Sequence, residues 1–77
     1  MEKTLGEKRV RVSFNVSGDD YIDEVKKAGA KLIDMINDST LTKELNDVDF
    51  VEWKRLKDLS LTAIEEGTSW AVKAATI

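Results

Sequence analysis

The chain has 77 residues, a net charge of -3 and a pI near 4.9, and it contains neither Cys nor His. That composition excludes disulfides, thiol nucleophiles, imidazole bases and nearly every zinc site, and the acidic balance argues against coating DNA or RNA, which takes dense Lys and Arg. A domain this small buries only about 60% of the surface its unfolded chain exposes, so self-association is the stabilising device that remains.

Residues 1–17 read as an extended arm. Within it, "RVRVSFNV" (residues 9–16) sets Val10, Val12, Phe14 and Val16 on one side and Arg9, Arg11, Ser13 and Asn15 on the other, the period of a strand. No later segment alternates comparably, so the arm is expected to lie on helices or on another subunit. "SGDD" (residues 17–20) then offers capping side chains and acids suited to a first helical turn.

A first helix is expected over about 19–37, with Ile22, Val25, Gly29, Leu32 and Ile36 at spacings of three and four, flanked by Ala28, Ile33 and Met35. Residues 38–47 hold turn and cap residues, and Asn46 or Asp47 introduces a second helix over about 48–75. At ~1.5 Å per residue it is roughly 40 Å long, well beyond what the first helix can cover. Ala63, Trp70 and Ile77 form one heptad row along it, and Ser60, Gly67 and Ala74 another. Leu61, Ile64, Thr68, Ala71 and Ala75 make an adjoining stripe. Apolar or small side chains around so much of one helix call for neighbours on several sides, and this chain supplies a single companion. The expected fold is all-α: an extended N-terminal arm and an antiparallel helical hairpin in one domain, assembled as a homo-oligomer. The small row lets backbones approach, and Trp70 fills the space between them.

Catalytic apparatus is not visible. Glu65 and Glu66 are adjacent and point about 100° apart on a helix, and no Ser, Cys or His arrangement suits nucleophilic catalysis. "NDVDFVE" lacks the central Gly and spacing of a calcium loop. The expectation is a protein without enzymatic activity, metal or cofactor. It also reads as soluble and cytoplasmic, because no stretch approaches the roughly 18 apolar residues of a membrane span and the N-terminus has no signal-like apolar run.

The cations are more informative. Lys26 and Lys27, with Lys31 one turn beyond, are close in sequence to Phe14 and Asn15. Charge for phosphate, a ring for stacking and an amide for a base edge are the components of a nucleotide site. From composition alone the plainer reading starts ahead: a salt-bridged solvated face, with Asp23 and Glu24 pairing the lysines and Phe14 in a core. Lys54, Arg55 and Lys57 form a second cluster, in which Arg55 offers a planar fork or is simply part of a charged surface.

Two segments resemble a known family. "LTAIEEGTSWAVKAAT" resembles a hairpin-domain signature in which "LT", one variable residue, an aliphatic and "EE" precede "WA" and an alanine-rich end. "FNVSGDDYIDEVKKAGAKLIDMI" resembles the opening of the same family, the phage anti-CBASS cyclic-nucleotide sponges, whose hairpin is shared with the Thoeris anti-defence sponge. The resemblance implies a homo-oligomer, a hexamer in the best-known members. It would bind cyclic dinucleotides such as cyclic GMP-AMP, and in some members cyclic trinucleotides, without cleaving them, in the host cytoplasm. By motif alignment it assigns base stacking to Phe14 with Asn15 beside it, or to Tyr21. It assigns phosphate contact to Lys26 with Lys27 as a near alternative, and a trinucleotide pocket to Arg55. "RLKDLSLT" departs from the family's usual "REKSLALT" around Arg55, and Gly67 replaces the usual Ala. The rival expectation is a non-enzymatic helical adaptor that docks a partner protein through its small-residue stripe.

Overall fold

The computed structural model describes residues 2–11, 20–40 and 44–77, all helical or irregular, with three helices and no strand among them. These are α1 (Leu5–Val10), α2 (Asp20–Asn37) and α3 (Asp47–Ala75). The two long helices fall within a residue of the sequence expectation. The extended arm is overturned for Leu5–Val10, which is a helical turn and a half, and its continuation over residues 12–17 lies outside the described residues.

Local chemistry explains the correction. Thr4 and Glu7 form a capping box: the Thr4 hydroxyl accepts from Glu7 N at 3.1 Å, and Glu7 Oε1 accepts from Thr4 N at 2.8 Å. This reciprocal pair satisfies two orphan donors and starts a helix just before the alternating residues begin. Arg11 then closes it in the left-handed region, φ 56° and ψ 56°, donating its N–H to the Glu7 and Lys8 carbonyls. The Arg9–Val10–Arg11 alternation is therefore the end and cap of a helix. The Thr-x-x-Glu spacing outweighs it.

α1 docks on α2 through a backbone-to-backbone approach. Gly6 faces the main chain of Ala30 so closely that a methyl at Gly6 would lie 2.7 Å from the Ala30 carbonyl carbon. Gly6 N donates to Asp34 Oδ1 at 2.7 Å, placing a carboxylate at the start of α1. Val10, Ala30, Ile33 and Leu61 make the core, with Leu5, Ile36 and Ile64 packed against it. Ile22 is also buried. Because α1 covers one flank of α2, its buried face runs through Ile22, Lys26, Gly29, Ala30 and Ile33. Leu32 and Met35, expected on that stripe, are exposed.

α2 and α3 meet at Gly29, whose missing side chain admits Thr68: the Thr68 Cγ2 and Cβ would stand 3.2 and 3.3 Å from a methyl there. At the other end of α2, Lys57 Nζ donates to the carbonyls of Asn37 at 2.9 Å and Ser39 at 3.4 Å. It supplies the cation that the last turn of α2 lacks. Asn46 caps α3, its side-chain oxygen accepting from Asp49 N at 2.8 Å. The molecule measures 48 × 29 × 14 Å along its principal axes, and large apolar side chains of α3, Leu56, Leu59 and Trp70 among them, stay exposed.

Candidate functional site

Where the end of α1 meets α2 and the C-terminal half of α3, a cavity of about 270 Å³ is lined by Val10, Arg11, Lys26, Thr68, Ser69, Val72 and Lys73. α2 contributes Lys26, α3 contributes Lys73, and the cap that ends α1 contributes Arg11. Two glycines bring those cations together: Gly6 seats α1 on Ala30, and Gly29 lets α3 approach at Thr68, with Lys26 one turn before both contacts. Lys26 is only 6% exposed, and its ammonium donates to the Arg11 carbonyl at 3.2 Å. Its aliphatic stem is packed between helices while the charge reaches a carbonyl oxygen, which offsets part of the cost of burial. Arg11 and Lys73 are exposed at the rim, and neither enters an ion pair among the described residues.

A second hollow, of about 350 Å³, adjoins this one and shares Ser69 and Lys73 with it, its other lining residues being Glu65, Glu66 and Trp70. Trp70 is 66% exposed, and Lys73 Nζ stands 4.6 Å from its ring centroid. A cation over an indole face beside a groove lined by hydroxyls and charge is a surface on which an anionic aromatic ligand can rest. Glu65 is engaged elsewhere, pairing with Arg9 Nε at 3.7 Å and tying α1 to α3. Among the described residues no three acidic groups converge as a metal site would require.

The structure separates the residues that the sequence grouped. Phe14 and Asn15 lie outside the described residues. Lys26 lines the cation groove, whereas Lys27 is exposed in a different hollow, of about 290 Å³, with Thr4, Glu7, Ala30, Lys31 and Asp34. Tyr21 is 56% exposed and, five residues before Lys26, sits about 140° around the helix from it. Arg55 is on the exposed side of α3, about 27 Å of helix rise from Lys73, where it binds Glu52 (Nη2 to Oε2, 3.1 Å). Hydrogen bonding to Arg55, with its charge, holds the Glu52 carboxyl below its ordinary range. Sequence reasoning missed Arg11, Thr68, Ser69 and Lys73 as lining residues. Lys73 was legible in part, since it follows Trp70 by three residues and so shares its face.

The outward side of α3 carries Leu56, Leu59, Ala63, Gly67, Trp70, Ala74 and Ile77, all exposed. Nothing lies within 4 Å of where a Gly67 side chain would begin. No helix among the described residues is long and apolar enough to cross a membrane. No family model, curated protein or solved structure matches this chain.

Proposed function

We propose that the chain is a phage anti-defence sponge: a helical hairpin that self-assembles in the host cytoplasm and sequesters cyclic oligonucleotide messengers intact. CBASS effectors are thereby left unactivated. The observation that carries this reading is the groove in which Arg11, Lys26 and Lys73 surround two hydroxyl side chains beside an exposed indole. Cations, hydroxyls and a ring face suit a small ligand with phosphates and bases. Sequestration needs affinity and copy number, and it makes no demand for an acid, a base or a metal. The resemblance of the two quoted segments supplies the ligand class, cyclic dinucleotides with cyclic trinucleotides as a further class, and the hexameric state.

Self-assembly has its own support. Leu56, Leu59, Ala63, Gly67, Trp70 and Ala74 make an exposed row of apolar and small residues along α3, the kind of surface that a second copy would cover. The same uncovered apolar side of α3 favours the second reading, an adaptor that docks a partner protein's helix.

Isothermal titration with cyclic GMP-AMP, with chromatography of the ligand after heat release, tests the proposal. Saturable binding, intact nucleotide on recovery and weaker binding by Phe14→Ala or Lys26→Ala are the expected results. Absence of heat and of any melting shift across a panel of cyclic di- and trinucleotides would leave the adaptor reading. Degraded ligand would make the protein an enzyme.

A further inference from the structure

We infer that Arg11 and Lys73 form a two-helix anion clamp that holds a phosphate-bearing ligand over the cavity, with Lys26 as the buried group that sets its geometry. The inference deepens the proposed function and, for its choice of cyclic ligand, rests on it.

The backbone of Arg11 carries the first part of the argument. A left-handed helix cap is the place for Gly or Asn, because a side chain with a β-carbon is strained at positive φ. Arg11 is the one non-glycine residue with positive φ among the described residues. It offers the turn no advantage over Gly, and its place in the cavity lining gives the side chain a role that Gly could not fill. Local rules are broken in this way chiefly at functional sites. The same conformation turns the Arg11 carbonyl to the Lys26 ammonium. One hydrogen bond thus fixes the residue whose guanidinium stands at the cavity rim.

The second part is charge. Lys26 on α2, Lys73 on α3 and Arg11 at the cap that ends α1 all line the cavity, and Arg11 and Lys73 are exposed. An anion entering this cavity of about 270 Å³ would meet the side chains of Arg11 and Lys73, neither of which is in an ion pair among the described residues. The neighbouring carboxylates, Glu65 and Glu66, line the next hollow, and Glu65 is turned to Arg9. Guanidinium suits bidentate contact with a phosphate, and ammonium acts as a point charge. The site therefore fits a phosphodiester or pyrophosphate group, with a base directed to Trp70.

The test uses two probes on the full chain: sodium pyrophosphate, followed by amide NMR at constant ionic strength, and cyclic GMP-AMP, followed by calorimetry. Wild type should show saturable pyrophosphate shifts at Ser69, Val72 and Lys73. Arg11→Gly and Lys73→Gln should each weaken them at least about tenfold, and Lys54→Gln should not. Arg11→Gly should also melt no lower than wild type, and up to roughly 6 °C higher, as the strained cap relaxes. Lost binding with retained or raised stability distinguishes a ligand contact from a folding role. If pyrophosphate moves these amides and cyclic GMP-AMP does not bind, the clamp stands and the sponge reading falls. If cyclic GMP-AMP binds wild type and both variants equally, or pyrophosphate leaves the amides unmoved, the clamp is wrong.

Discussion

Replacing Gly6 by Ala tests how α1 is held, and hence how the cation groove is built. In an isolated helix the change would help by up to about 1 kcal/mol. Here the new methyl would lie 2.7 Å from the Ala30 carbonyl carbon and 2.8 Å from its Cα, and closer still to its oxygen. Ordinary van der Waals contact begins at 3.4 Å, so α1 must retreat by at least about 0.7 Å. The obstruction is backbone and cannot rotate away. The same retreat would stretch the bond from Gly6 N to Asp34 Oδ1, now 2.7 Å, beyond the useful range of about 3.2 Å. A hydrogen bond to a charged group contributes about 1.5–3 kcal/mol, and overpacking costs about 1–3 kcal/mol. Against the propensity gain, the net cost is about 2 kcal/mol or more, a fall in Tm of roughly 8–16 °C for a chain of this size. Circular-dichroism melting measures it, and trypsin should cut sooner at Lys8 and Arg9. Ala at Gly6 with unchanged Tm and unchanged cleavage would refute the close approach of α1 to α2.

Gly67→Ala makes the opposite prediction for the monomer, since its position is open: at low concentration Tm should rise by roughly 4–8 °C for the ~1 kcal/mol of helix propensity gained. If α3 packs against another copy through this row, sedimentation velocity should show the variant assembling less tightly, and unaltered assembly would remove Gly67 from the interface. Lys57→Met removes the cation that reaches the Asn37 and Ser39 carbonyls and stands 4.9 Å from the Trp53 ring. Denaturant unfolding should show a loss of about 1 kcal/mol, and no loss would mean that water serves those carbonyls equally well.

The sequence alone determined the two long helices and the polarity of the chain. Spacings of three and four located α2, and Asn46 with an uninterrupted run of helix formers located α3, because both signals are local and survive whatever the helices pack against. The Thr4–Glu7 capping box was equally local, and the period-two alternation over residues 9–16 obscured it. The tertiary structure decided what those helices face. Docking α1 at Ala30 turned the buried side of α2 toward Lys26 and left Leu32 and Met35 outside, a choice set by contacts between residues far apart in sequence. For the same reason the groove joins Arg11, Lys26 and Lys73, three cations that no spacing in the chain relates. It leaves Lys27, Tyr21 and Arg55 on other surfaces. Helical period tells which residues share a face of one helix, and only packing tells which faces meet.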